Sequence, residues 1–152
     1  MSDVKLTQIN TPQGENYYDI SFTDGDFTLT EGLITTLMMS IFCEQRDDSI
    51  EVPQMRGGWA GNQFQSIQGF QQGSLIWTLY QSIADETAAT QAQQYIEDSL
   101  NWLIEDGILR DVEVAVFVVA NYKLQTKISI TRNDDTESVL FYDLWINTII
   151  NN

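Results

Sequence analysis

Apolar residues recur along this chain at two different periods. Leu33, Ile34, Leu37, Met38, Ile41 and Phe42 fall at spacings of one, three and four, which predicts a helix from Glu31 to Gln45 with a broad apolar stripe. Thr30 is placed to cap it, while Glu31 and Arg46 suit the positive and negative ends of the helix dipole. Helical spacing returns twice between Gly73 and Gly107. Ser74 can cap a short piece on which Leu75, Ile76, Leu79, Tyr80 and Ile83 share a face. Asp85 or Thr87 can cap a longer one, whose stripe is Ala88, Ala92, Tyr95, Ile96, Leu100, Leu103 and Ile104. Gly107 follows the last periodic residue, where a left-handed conformation closes a helix.

Beyond Gly107 the period drops to two. Val112, Val114, Val116 and Val118 alternate with Asp111, Glu113, Ala115 and Phe117, predicting a strand wet on one face at its start and apolar on both at its end. A tight turn at Asn121-Tyr122 leads to Leu124, Thr126, Ile128 and Ile130, which alternate with Gln125, Lys127, Ser129 and Thr131. After Asn133-Asp134-Asp135, a third strand carries Ser138, Leu140, Tyr142 and Leu144. An earlier short strand is expected at Tyr17 to Phe22, closed by Asp24-Gly25-Asp26. The predicted fold is α+β: two to three helices packed on a small antiparallel three-stranded meander, with a short N-terminal strand. Its expected organisation is an N-terminal arm over residues 1–16, one domain over 17–145 and an apolar C-terminal tail over 146–152.

The stretch from Gln54 to Gly73 lacks either period, being rich in glycine and glutamine with Trp59, Phe64, Ile67 and Phe70 spread through it. Aromatic residues in such a loop pin it to a domain or line a ligand pocket, and pinning is the expectation here. Gly57, Gly58, Trp59, Gly61, Trp77 and Trp102 are its candidate structural residues. Gly57-Gly58 and Gly61 do not make a phosphate loop, because no strand precedes them and no Gly-Lys-Ser/Thr follows.

Composition then narrows the chemistry. In 152 residues there are 22 acidic and 7 basic side chains, a formal charge of −15 that repels nucleic acid and anionic lipid. No apolar run reaches the roughly 20 residues of a membrane-spanning helix, and no signal-like segment opens the chain, so synthesis in the cytoplasm is expected. Histidine is absent, which removes the commonest general base and transition-metal ligand. Cys43 sits among Met38, Met39, Ile41 and Phe42 and reads as a small core residue rather than a nucleophile. Asp24-Gly25-Asp26 offers too few oxygens for calcium. Paired carboxylates at Asp47/Asp48, Glu97/Asp98, Glu105/Asp106 and Asp134/Asp135 leave glycoside hydrolysis as the alternative to consider, but such pairs are expected on solvated faces of so acidic a chain. No catalytic residue, cofactor or metal is therefore assigned.

Three sets of residues taken in order nevertheless carry a resemblance: Asp19-Ile20 with Gly25-Asp26; Gly32-Leu33 to Phe42 and on to Arg46; and Arg56-Gly57-Gly58-Trp59-Ala60-Gly61, Gly73-Ser74-Leu75-Ile76-Trp77 and Leu100 to Gly107. Together they resemble the small baseplate protein of Mu-like contractile phage tails, similar in plan to the small wedge protein of T-even phages. The family's second tryptophan is replaced here by Ala60, and an acidic residue by Asn62. The resemblance implies a virion protein of the tail baseplate, made in the host cytoplasm. It further implies that the protein joins two copies of a larger wedge protein, that six such units surround the central spike or hub, and that its sheet templates the first ring of sheath protein. The T-even relative has also been described as a lysozyme, but no residues here supply its acid and nucleophile.

Two interaction surfaces follow from the pattern. The helical stripes exceed what a small sheet need cover, which makes Leu33, Leu37, Ile41, Ala88, Ala92 and Tyr95 candidates for contact with a partner helix. The last strand has Asp143 as its only charge from Ser138 to Trp145 and no proline, so Leu140, Tyr142 and Leu144 mark an edge expected to accept an incoming strand, the alternative being that the strand Tyr17 to Phe22 or the tail covers it.

Overall fold

The computed structural model describes residues 2–4, 6–10, 16–20, 22–23, 26–27, 29–64, 70–80, 82–119 and 123–146, with side chains from Leu33 onward except at 141–143 and 145–146. The predicted turns at Asp24-Gly25 and Asn121-Tyr122, the middle of the glutamine-rich stretch and residues 147–152 of the tail lie outside the described residues. The chain divides into two compact units, Met1–Met39 and Ser40–Asn152.

The first unit is a nest of short antiparallel pairs. β1 (Ser2–Val4) pairs with β6 (Leu29–Glu31), and inside that pair lie two further ones, β2 (Leu6–Asn10) with β3 (Asn16–Ile20) and β4 (Phe22–Thr23) with β5 (Asp26–Phe27). The predicted N-terminal strand is thus mostly β3, and its partner is the stretch read as an arm: Leu6 stands opposite Ile20 and Gln8 opposite Tyr18. Backbone pairing there does not need the two-residue apolar period that the sequence lacks. Thr30 pairs with Asp3 instead of standing free as a cap, so α1 begins at Gly32 and runs to Phe42. Leu37, Met38 and Ile41 of its stripe are buried, whereas Ile34 is 36% exposed.

In the second unit the short predicted helix proves to be a single 3-10 turn, Ile76–Leu79. At three residues per turn Ile76 and Leu79 point the same way and are buried, while Tyr80 and Ile83, assigned to that face at α-helical spacing, are exposed. The long helix α2 (Glu86–Glu105) has Asp85 as its cap, the carboxylate accepting from Ala88 N–H at 2.9 Å. Its buried stripe is Ala88, Ala89, Ala92, Ile96, Ser99, Leu100 and Leu103; Tyr95 is half-buried and Ile104 is 38% exposed. Gly107, at φ 67°, closes it: its N–H donates to Ile104 C=O and that of Ile108 to Leu103 C=O, both at 2.9 Å.

The chain then turns straight into the sheet β7 (Leu109–Val119), β8 (Lys123–Arg132) and β9 (Glu137–Ile146), ordered 7-8-9 and antiparallel throughout. The fold is α+β as the pattern predicts, and α2 packs along β7. Register sets Val114 opposite Ile128 and Ile128 opposite Leu140, so one face carries the buried Leu124, Thr126, Ile128 and Ile130. The other face is wet, with Glu113 and Lys127 exposed, and the far end of β7 leaves Phe117 half-exposed.

Two substitutions should move stability in opposite directions. A Cβ at Gly107 would meet nothing within 4 Å, so Gly107→Ala tests only the left-handed backbone and should cost about 1–2 kcal/mol in a denaturant titration. The Thr126 hydroxyl is buried with no hydrogen-bond partner among the described residues, so the near-isosteric Thr126→Val should stabilise by about 1 kcal/mol and raise Tm.

Candidate assembly surfaces: the tryptophan-pinned loop and the sheet edge

α1 ends where the chain meets Ser74. The Ser74 N–H donates to Cys43 C=O and its C=O accepts from Gln45 N–H, each at 2.9 Å, forming a parallel bridge across Glu44. Its buried hydroxyl donates to Ile41 C=O at 2.6 Å and accepts from Ile76 N–H at 3.2 Å. The serine therefore starts the 3-10 turn as its capping position suggests, and also takes up a carbonyl at the end of α1. Gly73, at φ 116°, must be glycine: a Cβ there would run into the Cys43 carbonyl.

The rest of the loop is folded back onto this joint. Trp59 N–H donates to Glu44 C=O at 2.7 Å, Asp47 N–H to Arg56 C=O at 2.8 Å, and the Trp77 indole N–H to Gln45 C=O at 2.8 Å. The Trp77 ring lies against Gly57 so closely that a Cβ would sit 2.6 Å from it, and the Trp59 ring covers Gly61 in the same way. Gly58 faces Arg46. On the other side, Ser40 Oγ accepts from the Trp102 indole at 3.3 Å and from Gln72 Nε2 at 3.0 Å, and the Phe70 ring meets Trp102 edge-on at 5.5 Å. Asn62 completes the closure, donating to Gln72 C=O at 3.0 Å and accepting from Gln72 N–H at 2.8 Å. An aspartate at 62 could accept but not donate. Gly57, Gly58, Trp59, Gly61, Trp77 and Trp102 all lie in this loop or against the joint it folds onto. Ser40 and Gln72 were missed by the sequence reading, because a serine on an apolar stripe and one glutamine among many give no signal of partnership.

The helix-interface candidates do not form an open surface. Leu37, Ile41, Ala88 and Ala92 are buried within the chain, and Leu33 and Tyr95 are half-buried. At 0% exposure Ala92 cannot meet a partner helix without unfolding its surroundings; its small size serves internal packing. The sheet is different. Leu140 is half-buried opposite Ile128, Tyr142 pairs through its backbone with Thr126, and Leu144 is buried, at a register shift where the pairing moves from Gln125–Asp143 to Leu124–Trp145. Among the described residues β7 and β9 each pair only with β8, and α2 packs along β7.

The paired carboxylates are held by neighbours. Ser49 donates to Asp47 through its hydroxyl at 2.6 Å and its N–H at 2.9 Å, and these bonds hold the carboxyl below the usual range. Bonds from Thr136 do the same for Asp134. Both shifts are opposite to what a general acid needs. Asp48 takes Arg46 and Arg56, Glu97 takes Gln93, Asp98 takes Gln94, Glu105 takes Asn101, and Asp135 pairs with Arg110. Burial pushes the Cys43 thiol up, away from the thiolate. Among the described residues no three His, Cys, Asp or Glu side chains are grouped to hold a metal, and no helix is long and apolar enough to cross a membrane.

The described surfaces thus comprise a pinned loop, a three-stranded sheet and carboxylate pairs in which Asp47, Asp48, Glu97, Asp98, Glu105, Asp134 and Asp135 bond to neighbours. The chain belongs to the phage protein GP46 family, whose model matches residues 33–137. It is similar to the Mu-like prophage FluMu protein gp46 of Haemophilus influenzae (strain ATCC 51907 / DSM 11121 / KW20 / Rd), with 31% identity over 114 residues, 75% of each chain. The matched span takes in α1, the pinned loop, α2 and the sheet as far as the first residue of β9. Neither name is that of an enzyme.

Because Ala92 is fully buried, Ala92→Leu should lower the stability of the isolated chain by about 1–3 kcal/mol through overpacking, read from its denaturation midpoint. An unchanged midpoint would place Ala92 at a surface after all.

Proposed function

We propose that this chain is a structural component of a contractile phage tail baseplate. In this reading it sits in the virion, joins larger wedge proteins around the central spike or hub in six copies, and templates the first ring of sheath protein. The observation that carries it is the three-stranded sheet, whose β9 pairs only with β8 among the described residues, in a chain belonging to a phage protein family and similar to a protein of a Mu-like prophage. An open edge offers unpaired backbone groups to a neighbouring polypeptide. The pinned loop gives that sheet a rigid mount, since α1's end, the 3-10 turn and α2 are tied together through Ser74, Ser40 and Trp102. The engaged carboxylates support a non-enzymatic role.

The test is made on tails purified from the phage or induced prophage that encodes the chain. Mass spectrometry should find it in them at a small fraction of the abundance of sheath protein, and a density map of the tail tip should place it between the wedge proteins and the first sheath ring. Absence from purified tails would overturn the proposal. So would dose-dependent cleavage of peptidoglycan by the pure chain in a zymogram, abolished by replacing one carboxylate.

A further inference from the structure

The segment from Asp47 to Arg56 is a loop closed at its neck. Asp47 N–H donates to Arg56 C=O at 2.8 Å, and Arg56 Nε donates back to Ile50 C=O at 2.7 Å. Within it lies the 3-10 turn Pro53–Met55, where Met55 N–H donates to Val52 C=O at 2.9 Å. Main-chain atoms and one guanidinium make all of these bonds, and the Met55 side chain makes none of them. No residue of the turn is buried; Val52 is 48% and Met55 66% exposed. A surface loop whose ends meet in this way can keep an apolar tip in water, because its closure does not depend on burying that tip.

The chain has four methionines and one cysteine. Met38 is only 5% exposed and Met39 is half-buried, while Met1 lies outside the described residues. Cys43 is half-buried, and burial pushes its thiol up, which withholds the thiolate through which a cysteine reacts. A thioether has no proton to lose, so access and not ionisation separates one methionine from another.

From this arrangement we propose that Met55 is a site of oxygen transfer from peroxides, oxidised ahead of Met38, Met39 and Cys43, and that its sulfoxide makes the loop tip polar without opening the loop. In the step with hydrogen peroxide, a lone pair on Met55 Sδ attacks one peroxide oxygen and the O–O bond breaks. The sulfur gives up two electrons and keeps that oxygen. The other oxygen is reduced and leaves with both protons as water. The product sets a polar, chiral group beside Val52 and Pro53, which changes what the tip can dock against.

The test is limited oxidation of the full chain by dilute hydrogen peroxide, read residue by residue from the masses of its proteolytic peptides. In the folded chain Met55 should gain oxygen at least about tenfold faster than Met38 and Cys43, and measurably faster than Met39. In strong denaturant the three methionines should oxidise at one rate, since their exposure is then equal. The chain carrying a single oxygen at Met55 should keep its denaturation midpoint, as should Met55→Leu, which removes the sulfur at similar volume. Oxidation of Met38, Met39 or Cys43 as fast as Met55 in the folded chain would overturn the site, and so would a rate difference that survives in denaturant. A midpoint lowered by oxidation would overturn the claim that the loop stays closed without the thioether. These readings on the wild-type chain stand even if the leucine variant fails to fold.

Discussion

Everything in the second unit depends on how the end of α1 is received. A helix that stops leaves carbonyls without partners, and here Ser74 supplies the answer from more than thirty residues away in sequence, taking Cys43 C=O with its N–H and Ile41 C=O with its hydroxyl. Because the same residue's hydroxyl also accepts from Ile76 N–H, the 3-10 turn starts where α1 ends. Removing that one joint would leave buried carbonyls unpaired and release both ends of the loop together. Gly73 shows how tight the fit is, since no side chain can stand beside the Cys43 carbonyl.

The tryptophans work through this joint rather than through a common cluster. Trp77 bonds the chain just after α1, Trp59 lies over Gly61, and Trp102 brings α2 to Ser40. Trp77 and Trp102 each combine a large apolar body with one indole donor that reaches a specific carbonyl or hydroxyl, which suits a segment with no regular structure of its own to satisfy its backbone. The glycines opposite them are the reciprocal half of the design: a ring can lie flat on the backbone only where no Cβ intervenes.

Much of this was legible in the pattern of residues, and the misses have physical causes. The period of two after Gly107 located all three sheet strands, because one face of that sheet is buried and the other wet. Asp85 and Gly107 marked the ends of α2, since capping and left-handed closure are local and belong to particular residue types. The piece after Ser74 looked α-helical because spacings of three and four are both present, and only the structure shows that the spacing of three governs. Of the short strands of the first unit only β3 left a mark, as pairing through backbone groups demands no apolar alternation. Among the site residues, glycines and tryptophans announced themselves by type. Ala92 looked like an interface residue because small size permits close approach, but size alone does not say whether the approaching element belongs to the same chain.

The three-residue turn from Asn133 to Asp135 carries a further consequence. It is anchored at both ends, Asn133 donating to Gly107 C=O at 2.7 Å and Asp135, held at φ 63°, pairing with Arg110. Turn length here sets a parity. One residue inserted or deleted would shift β9 by one position against β8, exchanging inward for outward backbone groups along the strand and moving Leu140 to the opposite face of the sheet. Related chains that preserve this sheet should therefore be constrained in the length of the turn, so that their divergence there would be counted in substitutions and not in gaps.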